Sequence, residues 1–478
     1  RSLGRDRDRN GLAEQSLETP LAQLARAPVA LLPREATIGE ALRLMEERRI
    51  GSVLIGEGEQ AIGVFTRHDV IGRVCLPERP LDAPVTEVMS SPLITMEAGQ
   101  RAHDAAILMS RHGIRHLPVT EGGRVVGIVS ERDLFALQRL SINQLSGEIG
   151  AANDVEALRR AAAGIRRFAR QLVAQGLGAR GLTELISHLN DRLTARLVQV
   201  IAAEDGVDLG QACWLAFGSE GRSEQTIATD QDNGLIFESD DPARDRPRWL
   251  AFGRRVNEAL DACGYPLCKG NVMASNPECC LTVDEWRHRF GRWIDHGAPE
   301  DLLAASIYFD LRPIVGRLSL ADPLRLFVAM QAAEVPRFIH QLAANALQRR
   351  PPLNWLGNVE TTTVDGRETL DLKLQGTAIF VDAARLFALA HRIGATGTRE
   401  RFERAGQALR VEASEREAWS VGFEYLQMLR LQRQLDEDGG APNRIDWDGL
   451  NEIDRRVLKE TLRVARRLQQ RIELDWMR

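Results

Sequence analysis

The residue types best suited to chemistry lie in one stretch, Trp214 to Phe237, which reads WLAFGSEGRSEQTIATDQDNGLIF. Its first four residues, Trp214 to Phe217, are an apolar run with the character of a buried strand. Gly218 and Ser219 break the run. A Gly-Ser step between a strand and a helix lets backbone N–H groups face an anion, and the helix dipole favours negative charge there. A second strand is expected next, with Asp230 and Asp232 at its start. Side chains at i and i+2 of a strand share a face, so Gln231 would point the other way. Two carboxylates roughly 6.5 Å apart repel by about 2–3 kcal/mol at an effective dielectric near 20. A cation between them relieves that repulsion, and hard oxygen ligands suit Mg²⁺, which keeps waters and shares its shell with substrate phosphates. An anion cradle beside a metal clamp is equipment for in-line nucleotidyl transfer.

Gly218-Ser219, ten residues, then Asp230-Gln231-Asp232 resembles the signature of the DNA polymerase beta-like nucleotidyltransferases. The fuller string GSEGRSEQTIATDQDN is similar to bacterial nucleotidyltransferases that carry tandem CBS domains. Those are relatives of the uridylyltransferase of the PII signalling protein and of glutamine synthetase adenylyltransferase. The resemblance implies that Asp230 and Asp232 bind catalytic Mg²⁺ and that Gly218 and Ser219 contact a nucleoside triphosphate (NTP). It makes Arg222 a phosphate contact. The segment Cys268 to Met273 matches the family's second block, which offers Lys269 as a second phosphate neutraliser, with an ordinary loop lysine as the equal alternative. In this superfamily a third carboxylate arrives from a later strand. Ser306 to Ile314, SIYFDLRPI, reads as such a strand, so Asp310 is expected as third metal ligand or general base, against a structural Asp310–Arg312 pair.

The elements around that stretch begin with an internal repeat. Met45 and Met109, Ile50 and Ile114, Gly63 and Gly127, and Asp69 and Asp133 each recur at an offset of 64. Each copy runs from a helical pattern through an apolar strand and a turn to a second strand. Each then ends in hydroxyl-x-x-acid: Thr66-Arg67-His68-Asp69 and Ser130-Glu131-Arg132-Asp133. The tetrad has the form of a helix cap, and it also resembles the CBS domain motif. By that resemblance Thr66 and Asp69 line one cleft, Ser130 and Asp133 the other, for an adenosine nucleotide (AMP, ADP or ATP) as effector. The copies differ at Gly51-Ser52 against Arg115-His116, so their affinities should differ.

The expected fold class is multidomain α/β plus α. Residues 1–20 read as a mobile leader and 21–140 as the tandem CBS pair. Residues 141–206 read as a helical connector split by Gly176-Leu177-Gly178. A polymerase-beta-like catalytic domain follows at 207–320, and a helical substrate-binding domain at 321–478. Within the last, Val359 to Leu374 predicts a hairpin turning at Asp365-Gly366. Asp371, Lys373, Asp382 and Arg385 match the family's C-terminal block without a derivable role.

Composition sets the outer limits. The chain has 478 residues, 44% hydrophobic and 27% charged, with a formal net charge of −5. That balance argues against a general nucleic-acid binder, and no run of eighteen apolar residues suggests a membrane span. Six cysteines without zinc spacing leave reduced thiols in a cytoplasmic protein as the expectation. Of the 62 Lys and Arg residues only Lys269, Lys373 and Lys459 are lysine. The expected reaction moves a nucleoside monophosphate to a hydroxyl of a small molecule or of a protein, such as a PII-like regulator or a metabolic enzyme. The expected assembly is a homodimer. The rival reading is a non-enzymatic nucleotide sensor whose transferase fold docks a partner.

Overall fold

The computed structural model describes residues 19–57, 60–174, 179–227, 229–435 and 441–477. Most of the expected leader and the Gly176–Gly178 break lie outside the described residues. The chain divides into two compact units, residues 1–144 and 145–478. Among the described residues no helix is long and apolar enough to cross a membrane.

The first unit contains the repeat. One copy holds β1 (Leu31–Pro33), α1 (Ile38–Glu47), β2 (Ser52–Glu57) and β3 (Gln60–Thr66). The other holds β4 (Met96–Glu97), α2 (Ala102–His112), β5 (His116–Glu121) and β6 (Arg124–Ser130), followed by α3 (Glu131–Ala151). In both, the first strand runs parallel to the second and the second antiparallel to the third. Ser52 faces Thr66 and His116 faces Ser130, and the register shifts at Ile55/Gly56 and at Val119/Thr120. Even the bulge therefore recurs at the repeat's own offset. Thr37 and Glu40 close a capping box at α1, which then buries Ile38, Ala41 and Met45.

In the second unit α4 (Val155–Ala174) packs on α5 (Ala179–Asp205), and α5 packs in turn on the sheet and on α6 (Pro242–Ala262). The sheet has the order β10-β7-β8-β9. At its centre β7 (Ala212–Ala216) and β8 (Asn233–Phe237) are antiparallel and buried along their whole length. A strand covered on both faces needs the unbroken apolar run seen in the sequence. β9 (Cys280–Leu281) precedes α7 (Val283–His296), and β10 is Arg312–Gly316. The C-terminal helices are α8 (Asp322–Glu334), α9 (Pro336–Ala346), α10 (Ala378–Ala390), α11 (Thr398–Ala408), α12 (Ala413–Leu435) and α13 (Glu452–Trp476). They share one apolar core with the sheet, running from Phe217 and Trp286 to Phe387, Trp419 and Leu462. The hairpin forms where expected: β11 (Thr362–Val364) and β12 (Arg367–Asp371) turn at Asp365 and Gly366, with φ of 51° and 75°. Positive φ at both central residues is the primed turn that Asp-Gly favours. β13 (Arg444–Asp446) adds a third strand.

Two strand expectations need correction. Asp230 and Asp232 do not begin β8; they lie in the loop ahead of it, which starts at Asn233. Ser306 to Ile314 is not one strand, for Ser306–Asp310 is a 3₁₀ turn and only Arg312 onward is extended. The aromatic pair Tyr308 and Phe309 is buried by that turn, which puts both rings into the core.

Candidate active site

The site begins where β7 ends. Phe217 N–H donates to the Asp232 carbonyl at 2.8 Å, so the antiparallel pairing runs one residue past the strands and brings the two loops together. Gly218 then takes φ 55° and opens a single helical turn, Gly218–Gly221. A Cβ on Gly218 would lie 2.6 Å from Asp232 Oδ2, so the carboxylate rests directly over the glycine backbone. Positive φ and this close approach both demand glycine. Ser219 Oγ lies 3.3 Å from Thr229 Oγ1, which ties the turn to the residue before Asp230.

Gln231 explains how a loop, without strand geometry, presents both acids. Its side chain is buried and donates to the carbonyls of Asn257 at 2.9 Å and Tyr265 at 2.8 Å. Its amide oxygen accepts from Asn257 at 2.8 Å and from Asn233 at 3.3 Å. Asn233 Oδ1 in turn takes Asn257 Nδ2 and the Ala274 N–H, both at 2.9 Å. With Gln231 anchored inward, Asp230 is left exposed and Asp232 half-buried. Burial pushes the Asp232 carboxyl up to about 6, and Asp230 adds to this; the Cys268 thiol at 3.3 Å, Lys373 and Arg222 oppose it.

The donor chemistry of Asp230 and Asp232 is the fit test for a divalent cation. Among the described residues no group of three or more His, Cys, Asp or Glu could hold a metal. The donor set is two hard carboxylates, which suits a cation that completes its shell with water and phosphate. Asp230 and Asp232 fit that role.

Asp310 does not join them. It is fully buried, and both oxygens are taken by guanidinium groups. Oδ1 accepts from Arg385 Nε at 3.0 Å and Arg401 Nη1 at 2.6 Å; Oδ2 accepts from Arg222 Nη1 at 2.6 Å and Arg385 Nη2 at 2.7 Å. Burial alone would raise its pKa, but Arg385, Arg401 and Arg222 hold the carboxyl well below the usual range. A carboxylate with its acceptor positions filled offers no metal vertex, and one held ionised this firmly is a poor base. The expected roles of metal ligand and general base are corrected on that ground, and so is the alternative pair. Arg312 instead makes a bidentate bridge to Asp191 at 2.7 and 2.9 Å and donates to the Glu220 and Gly221 carbonyls.

Arg222 is held by Asp310 through Nη1 and by Glu224 Oε2 through Nε at 2.8 Å. Glu224 accepts from Thr398 N at 2.5 Å and Thr398 Oγ1 at 3.0 Å, so the loop caps α11. Lys269 is exposed, beside Cys268, with no hydrogen bond or ion pair among the described residues. Sequence reasoning missed Arg401 outright and left Lys373 and Arg385 without roles. Glu220 was missed as well: it is buried in the turn, its carboxyl pushed up to about 8 by burial and by Asp191. No spacing signal marks the roles of Lys373, Arg385 and Arg401, which arrive from elements far along the chain, whereas Glu220 lies inside the turn itself.

In the first unit Thr66 N and Oγ1 both donate to Asp69 Oδ2, at 2.9 and 2.7 Å. Ser130 N and Oγ do the same to Asp133 Oδ2, at 2.9 and 2.6 Å. The remaining oxygens differ: Asp69 faces Arg73 at 3.4 Å, whereas Asp133 is bound by Arg26.

Three family profiles match this chain. "Putative nucleotidyltransferase DUF294" covers residues 163–300, "Putative nucleotidyltransferase substrate binding domain" covers 336–476, and the CBS domain covers 21–75 and 85–139. The CBS domain-containing protein YhcV of Bacillus subtilis is 35% identical over 120 residues, 25% of this chain and 81% of that protein. An uncharacterized 17.7 kDa protein of Acidianus ambivalens is 32% identical over 120 residues, 25% of this chain and 72% of its own. Among solved structures, an uncharacterized conserved protein from Pyrococcus horikoshii is 30% identical, with TM-score 0.25 over 26% of this chain and 95% of that one. A CBS domain protein of Pyrobaculum aerophilum complexed with AMP is 28% identical, with TM-score 0.23 over 24% of this chain and 89% of its own.

Proposed function

We propose, from the premise that this chain belongs to the CBS domain-containing proteins and also carries a nucleotidyltransferase domain with its substrate-binding domain, that it transfers a nucleoside monophosphate from an NTP to a hydroxyl. The observation that carries this reading is the seating of Asp232 over the Gly218 backbone, with Asp230 two residues away and exposed. In the proposed reaction the Gly218–Ser219 turn holds the triphosphate. Asp230 and Asp232 would hold Mg²⁺, which would supply electrostatic stabilisation of the charge that develops during transfer. The Asp310–arginine cluster fixes the loop that bears the turn. The acceptor hydroxyl gives up its proton to solvent as its oxygen attacks the α-phosphorus, the bond to the β-phosphate breaks, and pyrophosphate leaves. The acceptor is a small molecule or a protein hydroxyl, with a PII-like regulator or a metabolic enzyme as the protein class. An adenosine nucleotide at Thr66 and Asp69, or at Ser130 and Asp133, would regulate the rate.

The test incubates the full chain and a cell extract with each α-labelled NTP and Mg²⁺, beside Asp230→Asn. Label that reaches an acceptor with the unaltered protein and is lost with Asp230→Asn supports transfer. Absence of transfer with every NTP, or equal label from the variant, defeats it.

A further inference from the structure

One neighbouring loop grips Asp232 from both sides. Gln231 N–H donates to the Pro266 carbonyl at 2.9 Å, and Asn233 N–H donates to the Val272 carbonyl at 3.0 Å. The residues flanking Asp232 are thereby fastened to the two ends of the segment 266–272. Between those ends the segment turns back on itself. Asn271 N–H donates to the Cys268 carbonyl at 3.0 Å, Asn271 takes φ 55°, and its own carbonyl accepts from Asn276 Nδ2 at 2.8 Å. A loop tied at this many points presents its side chains in a fixed direction.

The side chain it delivers to Asp232 is Cys268, whose thiol donates to Asp232 Oδ1 at 3.3 Å. The other oxygen, Oδ2, is the one seated over the Gly218 backbone. Both oxygens of the acid are therefore placed, one by a hydrogen bond and one by close packing.

The residue type is informative in a chain where arginine holds several carboxylates. Asp310 is closed by Arg222, Arg385 and Arg401, Asp191 by Arg312, and Asp382 by Arg349 and Arg385. A guanidinium neutralises the acid it holds. A thiol is a weak, uncharged donor, which orients an acid and leaves its charge for another partner. The buried thiols do something else: Cys279 meets the Tyr308 hydroxyl at 3.4 Å and Cys213 the Trp214 carbonyl at 3.7 Å, inside the core.

We propose that Cys268 is the positioning residue of Asp232: its thiol holds the carboxylate in the orientation that receives a divalent cation, and is not itself a ligand. The proposal rests on that part of the nucleotidyl-transfer reading which makes Asp230 and Asp232 metal ligands. Metal-binding carboxylates depend on such partners, and losing one costs about 10–100-fold in metal affinity.

Mn²⁺ alone is the probe, because it stands in for Mg²⁺ and its binding is read by electron paramagnetic resonance without any nucleotide. The full chain is compared with Cys268→Ala, Cys268→Ser, Asp232→Asn and, as a control in the first unit, Cys75→Ala. Far-UV circular dichroism and the melting temperature show that each variant is folded. The expected result is Mn²⁺ binding that is lost in Asp232→Asn and at least about tenfold weaker in Cys268→Ala. Cys268→Ser, which restores a donor, should recover most of the affinity, and Cys75→Ala should change nothing. Co²⁺ at the same site should show no sulfur-to-metal absorption band in the near ultraviolet. Where transfer is measurable, the Mg²⁺ concentration for half-maximal rate rises in Cys268→Ala by a similar factor. Unchanged Mn²⁺ affinity in folded Cys268→Ala overturns the proposal, as does a serine variant that binds no tighter than alanine. A cobalt–sulfur band overturns it too, by making the thiol a ligand, and so does absence of Mn²⁺ binding to the unaltered protein. If Mn²⁺ binding follows the expected pattern while no NTP gives label transfer, the transferase reading falls and this one stands. If transfer occurs and Cys268→Ala binds Mn²⁺ as the unaltered protein does, the reverse holds.

Discussion

Asp310 carries the largest single-residue consequence. Three arginines converge on one carboxylate that is fully buried, so neutralising it strands their charges. Asp310→Asn should cost about 3–5 kcal/mol at neutral pH, read by urea unfolding. The sign with pH follows from the depressed pKa. Its stabilisation is complete above the ordinary carboxylate range and is lost as pH falls below about 4 and the unfolded chain takes up the proton first. The gap between the two proteins should therefore narrow in acid, and a gap that widens there contradicts the assignment. At Gly218, an alanine would place Cβ against the Asp232 carboxylate. Gly218→Ala should abolish NTP-dependent labelling while lowering stability by only about 1–3 kcal/mol, a split that separates site geometry from folding.

At the scale of elements, two loop residues link the Gly218–Gly221 turn to its surroundings. Gln231 replaces strand alternation as the device that presents Asp230 and Asp232, through four hydrogen bonds to Asn257, Tyr265 and Asn233. Gln231→Leu should cost about 2–3 kcal/mol, because it leaves buried amides and carbonyls unpaired. It should also weaken Mg²⁺ binding by isothermal titration, since the flanking acids lose their anchor. Glu224 caps α11 from the same loop. Removing it as Glu224→Ala should cost about 1–2 kcal/mol and free Arg222 from one of its two partners. Unchanged thermal stability of that variant would show that the cap is idle.

Across the whole molecule, the chain divides into two compact units; the repeat has one core cluster per copy, and the second unit has its own. The unequal partners of Asp69 and Asp133 predict unequal clefts. Adenosine nucleotide should fill the Asp69 cleft first, because Arg26 must leave Asp133 before the second is open. Calorimetric scanning of the full chain should show AMP raising the transition of the repeat unit, by about 2.7 kcal/mol at a hundred times Kd, with little effect on the other. Asp69→Ala should remove most of that shift. A shift that survives in Asp69→Ala but vanishes in Asp133→Ala reverses the order of the clefts.

The sequence alone was enough for the repeat, for the existence of both central strands though not for their ends, for the Asp365-Gly366 hairpin and for the meeting of Gly218 with Asp232. Those features are written in local pattern: period, turn chemistry and a short fixed spacing between two neighbouring strands. What decided the rest was contact between residues far apart in the chain. Asp310 reads as a third acid for the metal because it is the one acid in an apolar run taken for a later strand, where the family resemblance implies a carboxylate. Only the folded chain shows Arg385 and Arg401 arriving from 75 and 91 residues away to claim it. A carboxylate's role is set by which charges surround it, and that is a property of tertiary packing to which spacing along the chain is blind.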